Sequence, residues 1–174
     1  FCEGNMIKNI TQPIKVIDNF FEQPQLVVKH ATKQEYSDQD NSLFLGTRST
    51  TLDMIDIDMF EGLLGKLINH VVGKDLFTFL HCEYQQINKE CVDQIKVIGP
   101  SFNIAGTIFL TSNHIPDSGI KFYDSRTQIE TMSVENMFNR CVLWDPQVPY
   151  KILNFADDTL MLTFYGTAVQ RYPG

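Results

Sequence analysis

Apolar residues recur at three- and four-residue spacing from about Asp56 to His70, at Ile57, Phe60, Leu63, Leu64, Leu67, Ile68 and Val71. That period lays a single apolar stripe along an α-helix, and Gly73 just beyond it is a suitable stop. A shorter helix is expected from Pro24, which sits in the first turn where a missing N–H costs nothing. Leu26, Val27, His30 and Ala31 give it an apolar face. Ahead of this helix, Ile14, Val16 and Ile17 predict an edge strand near 14–18. The polar run from Lys33 to Ser42 predicts an exposed loop, and Leu43-Phe44-Leu45-Gly46-Thr47-Arg48 a short apolar segment ended by glycine.

From Leu76 the period changes. Leu76 to Ile87 is too rich in aromatic and alternating residues for a helix. Short strands are then expected at 94–98, 104–111, 119–123, 141–144, 150–153 and 160–165. Between them lie Gly99-Pro100, Asn113 to Gly119, Asp145-Pro146 and Ala156-Asp157-Asp158, all turn-forming residues. Two helices followed by many short strands predict an α+β fold, a double-stranded β-helix (jelly roll) with two N-terminal buttressing helices. No repeat or linker divides the chain. The expectation is one domain over 1–174, with a strand and helical buttress in 1–75 and the jelly-roll core in 76–166.

Composition narrows the function classes. The 174 residues include 14 Lys and Arg against 21 Asp and Glu, a net charge of −7. With the basic residues scattered, nucleic acid is not an expected partner. Thirteen Phe suit large side chains packed between two layers. No apolar run is long enough to span a bilayer, and Phe1-Cys2-Glu3-Gly4-Asn5 shows no leader-like pattern. A start at Phe rather than Met suggests trimming, maturation or an incomplete record. The expected location is the cytoplasm or a virion. Cys2, Cys82, Cys91 and Cys141 lack the close pairs of a zinc site, so free thiols are expected, with a Cys82–Cys91 bridge as the alternative. No phosphate-binding glycine loop or serine nucleophile elbow is present, because Gly62-x-x-Gly65 falls inside the amphipathic helix.

Several segments carry a family likeness. Val16-Ile17-Asp18-Asn19-Phe20-Phe21 with Pro24, Ala105-Gly106-Thr107-Ile108-Phe109-Leu110, Pro116 to Tyr123, Met137 to Asp145, and Thr163-Phe164-Tyr165 occur in one order and spacing. Together they resemble the iron(II)/2-oxoglutarate oxygenases of the prolyl-4-hydroxylase type, common in bacteria and tailed phages. The resemblance spans most of the chain from residue 14. It implies a His-x-Asp pair and a distal His for iron, and a distal Arg for the cosubstrate's far carboxylate. By spacing, those places fall on Val97-Ile98-Gly99, on Tyr150, and near Thr159 or Leu160. None matches, so no catalytic, cofactor-binding or metal residue carries over and no cofactor is expected.

Other residues with suitable chemistry have plainer readings. Cys91-Val92-Asp93 mimics His-x-Asp but lies early, where an acidic turn is expected. His81 and Glu83 share one face of a strand and could form a two-ligand site joined by His114; ordinary polar residues on a half-exposed strand are the expectation. His30 and His70 read as boundary histidines. Asp56, Asp58 and Glu61 read as acids at a helix start, and Arg48 as a surface salt bridge. Tyr150, Trp144 and Phe122 read as aromatic core rather than a shallow pocket lining. Asp117-Ser118-Gly119 and Asp157-Asp158 read as turns.

The resemblance and its gaps together imply a non-catalytic jelly-roll protein that acts as a structural or protein-binding module, with a phage virion as one setting. The competing expectation is an active hydroxylase using His81, Glu83, Cys91, Asp93 or His114. A third is a metal-free binder of small ligands, which requires only a polar-lined pocket.

Overall fold

The computed structural model describes residues 14–38, 46–87, 95–111, 115–153 and 155–171. Its ten strands are β1 (Ile14–Ile17), β2 (Thr47–Arg48), β3 (Leu76–Ile87), β4 (Ile95–Lys96), β5 (Ile104–Phe109), β6 (Gly119–Tyr123), β7 (Glu130–Glu135), β8 (Cys141–Trp144), β9 (Tyr150–Leu153) and β10 (Thr159–Val169). They form a six-stranded sheet in the order β1-β8-β5-β10-β3-β2 and a four-stranded sheet in the order β4-β9-β6-β7. All pairings are antiparallel, and the two sheets face each other as a jelly roll.

Three helices, α1 (Pro24–Thr32), α2 (Leu52–Ile55) and α3 (Ile57–Ile68), accompany the sheets. Alternation divides the large sheet's side chains between two cores. Leu80, Cys82, Tyr84, Ile108, Leu162 and Phe164 pack outward against Val27, Ala31, Leu52, Leu63 and Leu67 of the helices. Ile87, Ala105, Phe109, Val142, Trp144 and Met161 turn inward, against Ile120, Phe122, Val134, Tyr150 and Ile152 of the small sheet. Trp144, Tyr150 and Phe122 are thus core, as expected. Cys82 and Cys141 are free thiols whose burial pushes their ionisation upward; Cys91 lies outside the described residues.

The helix starts follow local chemistry. Pro24 opens α1. Asp56 caps α3, its carboxylate accepting the Met59 N–H at 3.0 Å. Two segments far apart in sequence hold each other. Asn139, in a left-handed conformation at φ 64°, accepts the Phe21 N–H at 2.9 Å and donates its amide to the Phe21 carbonyl at 2.8 Å. Arg140 forks onto Asp18 at 2.6 and 3.2 Å, which lowers the Asp18 ionisation. These contacts pin the entry to α1 against the start of β8.

The four-residue helix α2 and the strand β7 were not expected from sequence, and β10 runs longer than the predicted 160–165. In β7 only Val134 is buried, so the sequence offers little periodic apolar signal there.

His70 lies just past α3 with its ring 6.2 Å from Phe20. Burial, then Lys15 and Lys66, hold its protonation below the ordinary 6.5. The unfolded chain therefore binds this proton more readily. The contribution is fully present above about pH 6.5 and declines as pH falls toward the folded value. A His70→Gln variant is expected to lose less stability than the parent between about pH 7 and 5, read from urea midpoints across that range.

Candidate functional site: the aromatic mouth and polar interior of the jelly roll

One end of the sandwich gathers the positions that the resemblance singles out for iron; Thr159 and Leu160 lie at the other end, where β10 begins beside Ile87 of β3 and Phe109 of β5. β4 ends at Lys96, opposite Tyr150 at the start of β9, so Val97-Ile98-Gly99 and Tyr150 meet where these strands join. The Gly99 N–H donates to the Pro146 carbonyl at 3.0 Å and ties that loop to the β8–β9 turn. The same end holds the close of β10 and the start of β5, since Ile104 pairs with Gly166 and the Asn103 side-chain amide donates to the Ala168 carbonyl at 2.8 Å.

The donors at this junction do not fit a ferrous ion. Val97 offers no lone pair. Gly99 has no side chain, and its φ of +117° is one that L side chains rarely adopt. Tyr150 is buried, and burial raises its phenol far above the ordinary range, so it stays neutral at physiological pH. At the place expected for a cosubstrate arginine, Thr159 donates its hydroxyl to the Ala156 carbonyl at 2.7 Å, and the Leu160 N–H donates to Thr111 Oγ1 at 2.7 Å. Among the described residues, no three of His, Cys, Asp and Glu are grouped so as to hold a metal ion. Cys91, Asp93 and His114 lie outside the described residues.

What lines the mouth is aromatic. Tyr165 sits in a ring cluster, 4.6 Å from Phe102, 4.8 Å from His81 in a stacked pose and 6.3 Å from Phe79. Phe79 stacks on Phe102 at 5.8 Å and remains 48% exposed; Val97 is 49% exposed. Exposed aromatic rings gathered in one place are a common anchor for a binding partner.

Behind the rings the interior is polar. Cross-strand registers place Glu83 opposite Thr163, and Thr163 opposite Thr107, as one inward-facing row. Arg48 pairs with Gln85 and shares that face. Its Nη1 lies 3.1 Å from Glu83 Oε1, while His81 Nε2 lies 3.3 Å from the other Glu83 oxygen, Oε2. Glu83 is 2% and Arg48 5% exposed. These facts correct two expectations. Arg48 is not a surface residue, because β2 pairs beside β3 and the register turns Arg48 to the inner face with Gln85. His81 and Glu83 are not ordinary residues on a half-exposed strand, because Glu83 is buried on the inner face and His81 is three-quarters covered. Burial is the main cause that raises the Tyr165 phenol; the Glu83 charge adds to it and Arg48 opposes it.

Thr107 Oγ1 and Trp144 Nε1 are buried in this interior with no hydrogen-bond partner among the described residues. Such atoms ordinarily meet water or a ligand. His30 lies on the helix side, as a boundary histidine should, with Nδ1 2.7 Å from the Tyr84 hydroxyl and Nε2 3.6 Å from Asp56. Sequence reasoning missed the interior roles of Arg48, Gln85, Thr107 and Thr163. The available signal was the spacing His81-x-Glu83-x-Gln85, three polar residues on one face of a strand whose neighbours are otherwise apolar.

Comparison with solved structures shows the fold. The chain is similar to a prolyl-4-hydroxylase from Pseudomonas putida, with a TM-score of 0.70 and 13% identity over 94% of this chain and 95% of that one. It is similar to an oxidoreductase of the 2OG-Fe(II) oxygenase family from Burkholderia pseudomallei, with a TM-score of 0.69 and 8% identity over 99% and 95%. HygX from Streptomyces hygroscopicus, solved with nickel and 2-oxoglutarate bound, matches with a TM-score of 0.64 and 11% identity over 96% and 87%. No family model and no curated relative matches the chain. The protein therefore has the α+β jelly-roll fold of the prolyl-4-hydroxylase-like 2-oxoglutarate oxygenases. Among the described residues no helix is long and apolar enough to cross a membrane.

Proposed function

We propose that this chain is a non-catalytic jelly roll of oxygenase descent that works by binding another protein, as a module of a larger assembly. A virion is the setting suggested by the resemblance. The observation that carries the reading is the junction of β4 and β9. There Val97, a glycine in a glycine-favouring conformation and a neutral buried phenol occupy the places where sequence spacing puts the two imidazoles and the carboxylate of the resembled enzymes. The interior carboxylate nearest the mouth, Glu83, already faces a guanidinium and an imidazole. It has little charge left to offer a cation. The half-exposed rings of Phe79, Phe102 and Tyr165 favour a partner's apolar side chain at the mouth.

The test is incubation of the purified protein with iron(II), ascorbate, oxygen and 2-oxoglutarate, with succinate measured, beside thermal melts with nickel or 2-oxoglutarate. The expected result is succinate at the level of protein-free controls and an unchanged melting temperature, since a ligand bound only by the folded state must raise it. Succinate above those controls would overturn the reading in favour of an active hydroxylase with atypical ligands. A melting shift with 2-oxoglutarate alone would instead point to a metal-free small-ligand site at Thr107 and Trp144.

A further inference from the structure

Between α1 and α3 lies a groove of about 350 Å³ whose walls include Leu26, Val27, Met59, Gly62, Leu63 and Lys66. The two helices run antiparallel. His30, near the end of α1, meets Asp56 at the start of α3, and Lys66 Nζ donates to the Phe20 carbonyl, just ahead of α1, at 3.2 Å. Met59, Gly62, Leu63 and Lys66 are spaced three and four apart, so one stripe of α3 faces the groove. On the α1 wall Leu26 is 60% exposed. Gly62 leaves the α3 wall open, since a Cβ built there would meet nothing within 4 Å. Glycine is a poor helix former, and no contact within the described residues requires one at this position.

One end of this apolar groove is basic. Glu22 and Lys66 are the charged residues in its wall. His70 follows one turn beyond Lys66, and the charges of Lys15 and Lys66 both reach it. Neither lysine has a carboxylate partner among the described residues, because the nearby Asp18 is held by Arg140. Two ammonium groups against the single Glu22 carboxylate give this end a positive excess, on a chain whose net charge is −7. The walls are also helical. Their main-chain groups are bonded within each helix, so an occupant must satisfy its own backbone, as a helix does and an extended segment does not.

We propose that the groove between α1 and α3 receives an acidic amphipathic helix of a partner protein. Its apolar side chains would lie over Gly62, between Leu26 and Met59, and a carboxylate one turn further along would reach Lys66 and Lys15. A helix laid in a groove is anchored by apolar residues three and four apart, and the charged end fixes its direction. The proposal rests on the protein-binding reading and adds a second surface, on the helix layer and away from the aromatic mouth.

The probe is the peptide Leu-Ala-Gln-Leu-Leu-Ala-Gln-Leu-Glu-Ala-Glu-Glu-amide, labelled at its N-terminus and followed by fluorescence anisotropy with the full chain. Saturable binding is expected. A counterpart with Lys for each Glu should bind at least about tenfold more weakly, and added salt should narrow the gap. Gly62→Leu fills the groove from the α3 side. Nothing stands where its Cβ would go and leucine favours a helix, so the melting temperature should not fall. Affinity for the acidic peptide should nevertheless drop at least about tenfold. Lys15→Glu, an exposed substitution, should shift preference toward the Lys peptide and serves if the leucine variant fails to fold. The proposal is overturned by equal affinity for the two peptides, by wild-type affinity in Gly62→Leu, by unchanged preference in Lys15→Glu, or by no binding at millimolar peptide. Such a failure would coexist with absent succinate, whereas succinate formation would sink the non-catalytic reading itself.

Discussion

An Arg48→Met variant is expected to lose about 3–5 kcal/mol of folding stability. Methionine keeps much of the apolar volume of the arginine stem but leaves Glu83 as a carboxylate that is 2% exposed and lacks its guanidinium partner. Taking a charge out of water is costly, and a lost partner leaves that cost uncompensated. His81 remains 3.3 Å from the other carboxylate oxygen, so the loss should fall within the range for a broken buried pair, not above it. The double variant Arg48→Met/Glu83→Gln should recover most of the loss, because the amide carries no charge to strand. Urea unfolding followed by circular dichroism measures both. A single-variant loss below about 1 kcal/mol would match an exposed pair and contradict a sealed polar interior. The wild-type pair is not by itself a large source of stability, since its attraction is offset by desolvation.

Gly106→Ala is expected to cost about 3 kcal/mol, toward the upper end for an overpacked core. A Cβ at this position would overlap the Phe164 ring and lie 2.6 Å from the Val142 carbonyl oxygen. Phe164 belongs to β10, the strand paired with β5 on one side, and Val142 to β8 on the other. Phe164 is fully buried against the helix layer, so its ring has nowhere to retreat. A Gly106→Ala/Phe164→Leu pair should recover part of the loss, because it removes the ring overlap. It should not recover all of it, since the Val142 carbonyl is main chain in the middle of the sheet. Thermal melts of the three variants, read as a double-mutant cycle, give the coupling directly. Full additivity would mean that β5 shifts away from β10 instead. The glycine in the Ala105-Gly106 pair is thus required by packing on the side of the sheet away from the mouth.

The two parts of the mouth differ in what they ask of the chain. The β4–β9 junction is held by backbone pairing and by the bond from Gly99 to Pro146, which needs no particular side chain at Val97. The ring cluster, by contrast, is a side-chain arrangement in which Tyr165 is the hub. A scaffold whose strands close by main-chain bonds and an inner layer of apolar side chains asks little of the particular side chains at its mouth. The fold alone therefore says little about chemistry.

Much of the architecture was readable along the chain because it rests on local rules. The stripe from Ile57 to Leu67 forms α3, Pro24 opens α1 and Asp56 caps its helix. The alternating residues of Leu76–Ile87 form β3. The order of the family-like segments pointed to the jelly roll, and the reciprocal bonds between Asn139-Arg140 and Asp18 to Phe21 give two of those segments a physical reason. The expectation that Val97, Gly99 and Tyr150 stand at the ligand places also came from residue identity and spacing alone. Tertiary structure alone decided the rest. Arg48 and Glu83 stand 35 positions apart, and only the pairing of β2 beside β3 brings them together. β7 was invisible because an edge strand with a single buried residue has little hydrophobic period to detect. Its place as a strand exists only once β6 lies beside it. Local patterns record which face of an element meets the core; which elements meet each other, and what polar chemistry is sealed between them, is set by long-range pairing that no window of sequence contains.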